Sequence, residues 1–164
     1  MHSRKKKNTV DDRGRTVTVL SVEPAEEHRA GLENIFARSS WGLCPSSNWK
    51  LSTTSNVRQA LSAIRDGDIP IVLCESDIAP STWKGFLEEL RQLPNPPLLI
   101  VTSRLADEQL WAEALNLGAY DVLAKPYDSA EVIRVVSLAW LHWEWRHPVA
   151  SAQEIPRLAA AMGA

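Results

Sequence analysis

Four short apolar runs in this chain each end on side chains suited to handling a proton, a cation or a phosphoryl group. Glu23 follows residues 16–22, and Glu75 follows residues 69–74 with Ser76 and Asp77 directly behind it. Thr102 and Ser103 follow residues 98–101, and Lys125 with Pro126 follows residues 121–124. Carboxylates accept protons and bind hard cations, a hydroxyl donates a hydrogen bond, and an ammonium neutralises an anion. Brought together, two carboxylates, a hydroxyl and an ammonium could hold an ion or a phosphoryl group. Other chemistries lack their residues. There is no glycine-rich phosphate loop, no Ser-His-Asp arrangement and no ligand spacing among the four histidines, of which His142 and His147 lie near the end of a helical segment. The two cysteines, Cys44 and Cys74, are too few for a disulfide framework or a zinc site and read as reduced, packed thiols.

The elements that must position these groups alternate. Residues 16–22, 69–74 and 98–101 are nearly continuous runs of apolar and β-branched side chains, as strands buried on both faces require; 121–124 is a shorter one and 50–54 a weakly signalled one. Between them apolar residues recur at helical spacing: Leu32, Ile35 and Phe36; Val57, Ala60, Leu61 and Ile64, stopping near Gly67; Phe86, Leu90 and Leu93 after Ser81; Leu110, Ala114 and Leu117, closed by Gly118. A last helix opens with Asp128 and Glu131 in capping-box spacing and runs to about Trp145. Five strand–helix alternations predict an α/β fold with a five-stranded, doubly wound parallel sheet. In such a sheet ligands gather beyond the carboxyl ends of the strands, where Glu23, Glu75, Thr102 and Lys125 fall.

With 164 residues, 45% hydrophobic and 23% charged, the chain is expected to hold one domain over residues 16–145. A basic arm is expected over 1–15 and a tail or short helix over 146–164, around Pro148 and Pro156. No apolar run is long enough to span a bilayer and no secretion signal follows Met1, which together point to the cytoplasm. A net charge of -2 argues against a dedicated nucleic-acid binder, and the run from Arg4 to Lys7 reads as a solvated tail.

The order of a carboxylate after strand one, a carboxylate after strand three, Thr after strand four and Lys-Pro after strand five resembles the receiver domain of bacterial two-component response regulators. The most specific stretch is Asn116-Leu117-Gly118-Ala119-Tyr120-Asp121-Val122-Leu123-Ala124-Lys125-Pro126-Tyr127. The resemblance implies a flavodoxin-like (CheY-like) three-layer fold, a phosphorylatable Asp after strand three, magnesium held by acidic residues, and a cis bond before Pro126. It also marks departures. Pro24 stands where a second acidic residue is normal, so any metal site would rest on Glu23 and Glu75 and bind Mg2+ weakly or not at all. Glu75 falls at the phosphoacceptor position, with Ser76 or Asp77 as alternatives. Thr102 and Lys125 take the switch and phosphate-contact positions, Val122 replaces the aromatic of strand five, and Tyr127 matches the Phe after Lys-Pro. The implied function is an atypical, non-enzymatic receiver, a pseudo-receiver of phosphorelay signalling. It would act through contacts with a histidine kinase, another regulator or a transcription component, with Glu75 and Lys125 paired in place of phosphorylation. A phosphorylation-competent receiver and a small flavodoxin-like nucleotide-binding enzyme are the alternatives.

Seven tryptophans are many for this length, and Val136, Trp140 and Trp143 form a stripe at i, i+4 and i+7 on the last helix. Such a stripe packs into the core or, because Val132, Val135 and Ala139 already supply an inner face, remains outside as a surface for homodimerisation or partner docking. On the second reading, removing Trp140 or Trp143 weakens association more than folding.

Overall fold

The computed structural model describes residues 15–38, 41 and 47–147. The arm expected over 1–15 and the tail expected over 146–164 lie outside the described residues, except for Arg15, Arg146 and His147. In chain order the elements are β1 (Arg15–Val22), α1 (Glu26–Arg38), β2 (Ser47–Thr54), α2 (Val57–Asp66), β3 (Ile71–Glu75), α3 (Trp83–Arg91), β4 (Leu98–Ser103), α4 (Glu108–Leu117), β5 (Asp121–Ala124) and α5 (Ser129–Arg146). The described strands form one parallel sheet in the order β2-β1-β3-β4-β5. The chain therefore winds outward from β1 to β2 and then back across to β3. The carboxyl ends of β1 and β3 flank that reversal, the place where open α/β sheets hold ligands.

Successive strand residues face opposite sides of the sheet, which divides the core into two layers. Leu20, Val22, Val72, Cys74, Leu99 and Val101 pack with α2, α3 and α4 on one side. Val17, Val19, Ile71, Leu73 and Ile100 pack with Leu32, Ile35 and Phe36 of α1 and with α5 on the other. Both sides are covered, so the strands carry the unbroken apolar runs seen in the sequence.

Several boundaries move from their expected places for local reasons. β3 begins at Ile71, not Ile69, because Pro70 has no N–H to give; its carbonyl instead accepts from Leu98 N at 2.8 Å. β4 carries on through Thr102 and Ser103, both buried. β2 begins at Ser47, three residues before the expected start, as an edge strand of partly exposed, largely polar residues that leave little hydrophobic signature. Helix α3 is capped by Thr82, whose side chain accepts from Gly85 N, and α5 by Asp128, which accepts from Glu131 N. In α4, Ala114 is deeply buried, Leu110 partly so, and Leu117 remains exposed at the helix end.

Gly118 closes α4 in the left-handed region, with φ 101°, and its N–H lies within reach of the Ala114 and Leu115 carbonyls. A Cβ there would be strained by the backbone and would also meet the Arg91 guanidinium, which can swing aside. Gly118→Ala is expected to cost roughly 1–2 kcal/mol. Denaturant unfolding measures this, and a loss under a few tenths would contradict the conformational argument.

The stripe on α5 needs correction as an association surface. Val136 is fully buried, Trp140 is 5% exposed and Trp143 is partly buried against the same core layer. The helix lies against the sheet beside α1 with a buried face wide enough to include Val132, Val135, Val136, Ala139 and Trp140 together. What α5 leaves exposed is instead Leu138, Leu141 and Trp145.

Candidate functional site

Parallel pairing brings the strand ends into one place. Glu23 continues the β1 ladder by one residue, donating its N–H to Thr54 O at 2.9 Å. Glu75 ends β3 in register with Thr102, and Ser76 N donates to Thr102 O at 2.8 Å. Lys125 N donates to Ser103 O at 2.9 Å, which carries the β5 ladder just past the strand. The next peptide bond, Lys125–Pro126, is cis, as is Ala79–Pro80.

Here the Lys125 ammonium meets both carboxylates, contacting Glu23 Oε1 and Glu75 Oε2. The lysine side chain is 1% exposed, that of Glu23 3% and that of Glu75 12%. Charges this deep are tolerated only when paired, because each gives up its hydration on folding. Among the described residues the Glu75 Oε2 atom has no hydrogen-bond partner to neutralise it apart from this ammonium. The other Glu75 oxygen, Oε1, accepts from Ser76 Oγ at 3.3 Å and Asp77 N at 3.2 Å. Ser76 Oγ also shares a hydrogen bond with Ser103 Oγ at 2.9 Å, and Ser103 Oγ accepts from Leu105 N at 3.0 Å. Asp77 itself is exposed and contributes only its backbone N–H.

Thr102 is buried, and its side chain shares a hydrogen bond with Tyr127. Burial pushes the Tyr127 phenol above its ordinary pKa, the Thr102 bond acts in the opposite sense, and nearby Glu23 and Glu75 raise it further. Burial likewise pushes the Cys74 thiol up, with Glu75 and Glu23 adding to the shift and Lys125 opposing it, so this cysteine is an inert thiol and not a nucleophile.

Two participants escaped the sequence reading. His28, in α1, places Nδ1 at 2.8 Å from Glu23 Oε1 and at 3.1 Å from Lys125 Nζ. Its Nε2 is 3.1 Å from Arg104 Nε and 2.8 Å from Arg104 Nη2. His28 and Arg104 are 76 residues apart, and neither belongs to a motif, so only the sheet order brings them together. The one available signal was position: each stands within a few residues of a strand end that carries a pocket residue.

Magnesium requires near-octahedral oxygen coordination at about 2.0–2.1 Å. This pocket offers two carboxylates, both engaged by Lys125, and a proline at the position after Glu23. Among the described residues no three His, Cys, Asp or Glu side chains lie close enough to share a metal. The donor set does not fit that ion.

A family model for the response regulator receiver domain matches residues 19–137. The chain belongs to that family. Its curated relatives include the transcriptional regulatory protein ZraR of Escherichia coli K12, 32% identical over 127 residues, and that of Klebsiella oxytoca, 28% identical over 130 residues. These alignments cover 77% and 79% of this chain but 27% of each relative, so the chain spans about a quarter of their length. Among solved structures, the signal receiver domain of an HD domain-containing protein from Pseudomonas fluorescens Pf-5 superposes with a TM-score of 0.67 at 21% identity, covering 79% of this chain and 98% of that one. The chemotaxis response regulator CheY4 of Vibrio cholerae gives 0.64 at 13%, covering 76% and 98%. At such identities these two speak for the CheY-like, flavodoxin-like fold. The receiver is thus a module of two-component signalling. None of its described helices is long and apolar enough to cross a membrane.

Proposed function

We propose that this receiver signals from a state fixed by the Glu23–Lys125–Glu75 ion network, without needing phosphorylation. The observation that carries the reading is the Lys125 ammonium buried between the carboxylates of Glu23 and Glu75, the second of which this reading takes as the phosphoacceptor position. A phosphorylated side chain presents roughly -1.5 to -2 charges, whereas a carboxylate presents about one. Glu75 supplies that one charge permanently, and its extra methylene relative to Asp helps it reach the ammonium. Mg2+ then binds weakly or not at all, because Pro24 offers no ligand and Lys125 already neutralises the carboxylates. Thr102 and Lys125 keep the family's switch positions in this reading, and the Thr102 side chain is engaged by Tyr127.

In this reading residues 16–145 are the receiver unit. Output passes to a histidine kinase, another regulator or a transcription component; the last is supported by the ZraR relatives, which are transcriptional regulatory proteins. Incubation with a small phosphodonor and magnesium, followed by intact mass measurement, tests the reading. No stoichiometric adduct is expected, and one on Glu75, Ser76 or Asp77 would overturn it.

A further inference from the structure

We propose that His28 and Arg104 form a strap across the mouth of the pocket that controls access to the Glu75–Lys125 pair. The proposal concerns regulation of the same site and rests on the reading of that pair as the signalling element. Its basis is topological first. In the sheet β3 lies between β1 and β4. His28 belongs to the helix that follows β1, and Arg104 is the first residue after β4. A bond between them must therefore pass over the carboxyl end of β3, where Glu75 sits.

The hydrogen-bond chemistry then fixes how the strap is made. A guanidinium has donors only, so with Arg104 Nε and Nη2 at 3.1 and 2.8 Å, the Nε2 of His28 must present its lone pair. In the neutral ring the proton resides on Nδ1, which donates to Glu23 Oε1 at 2.8 Å. Lys125 Nζ, 3.1 Å from Nδ1, also carries only protons, so imidazole and ammonium share the same carboxylate oxygen as acceptor. The result is a continuous chain from Glu75 through Lys125, Glu23 and His28 to Arg104. The inner members are buried, His28 is 16% exposed by side chain, and Arg104 is exposed. The strap is fastened at its β4 end as well, because Ser103, next to Arg104, shares a hydrogen bond with Ser76 Oγ and accepts from Leu105 N. The weak link is Arg104, an exposed side chain held by one imidazole nitrogen; release there uncovers the pocket without disturbing the core.

The test is acylation of lysines in the full chain by a small neutral ester reagent, with rates read by peptide mass spectrometry. In the wild type Lys125 should react far more slowly than exposed Lys50. Losing a hydrogen bond of this kind shifts a local opening equilibrium by roughly fivefold or more, so Arg104→Ala and His28→Phe should each speed Lys125 labelling by that factor. Lys50 labelling and amide exchange at Val72 and Ile100 should stay at wild-type rates. A wild-type Lys125 rate in either variant, or parallel acceleration of the core amides, would defeat the strap. An independent check needs no variant: nitrogen-15 spectra of the native chain should place the His28 proton on Nδ1, and an Nε2–H tautomer would also defeat it. Phosphodonor and magnesium added to the same proteins separate the two ideas. An adduct confined to the variants would overturn phosphorylation independence while supporting the strap, and an adduct on the wild type would sink the first reading and leave the labelling result to decide the second.

Discussion

Replacing Lys125 with Met should lower the stability of this receiver by about 3–5 kcal/mol, the largest effect expected from any single change in the pocket. Methionine preserves most of the stem's volume, so the loss comes from charge and not from packing. Two carboxylates whose side chains are 3% and 12% exposed would then face each other without their common counter-ion. Of their remaining partners, His28 assists only Glu23, while Ser76 and the Asp77 amide assist only Glu75. The cost of an orphaned buried charge is separate from the worth of the whole network, because neutral groups of similar shape need no counter-ion. A triple variant, Glu23→Gln with Lys125→Met and Glu75→Gln, should therefore recover most of the deficit. Urea unfolding of the wild type, Lys125→Met and the triple variant measures both claims through the midpoint at constant slope. A Lys125→Met loss below about 1 kcal/mol would mean that the carboxylates are better solvated than their exposure indicates.

The same balance explains what could be read from the sequence. Strands buried on both faces must be apolar throughout, so β1, β3 and β4 announced themselves, and the alternation with helical spacing led to the parallel order. Once the sheet is parallel, the first polar residues at the ends of its strands share one edge, which placed Glu23, Glu75, Thr102 and Lys125 together there without a structure. His28 and Arg104 follow no such rule. One lies inside a helix and the other at the start of a loop, and their meeting depends on β3 being inserted between β1 and β4. The first half of β2 was hidden for the opposite reason, since an edge strand with residues such as Asn48 and Lys50 need not be apolar. On α5 periodicity identified apolar stripes correctly but could not say how much of the helix surface the sheet and α1 would cover. That quantity is set by packing between elements, and no local pattern encodes it.

The covered width of α5 makes Trp140 a folding residue. Trp140→Ala should cost about 3–5 kcal/mol, as expected when a buried indole is truncated and its site collapses only in part. The ring belongs to the layer containing Val17, Ile35, Phe36 and Val136, and Arg15 lies over it with its guanidinium carbon 5.6 Å from the ring centroid. Arg15 is also 3.5 Å from Glu144, so loss of the indole removes a contact between the start of β1 and α5 while that ion pair remains. Its neighbour Trp143 should matter less. That ring is only partly buried and stacks on His147 at 3.9 Å between centroids, so Trp143→Ala should cost on the order of 1 kcal/mol. Trp145, 82% exposed, should stay within about half a kcal/mol of wild type when replaced by Ala. The graded series tests whether burial orders the effects, and sedimentation of the same proteins supplies the counter-reading. If Trp140→Ala left the unfolding midpoint unchanged while dissociating an oligomer, the indole would be serving an interface; if the midpoint falls while the mass distribution holds, it serves the core.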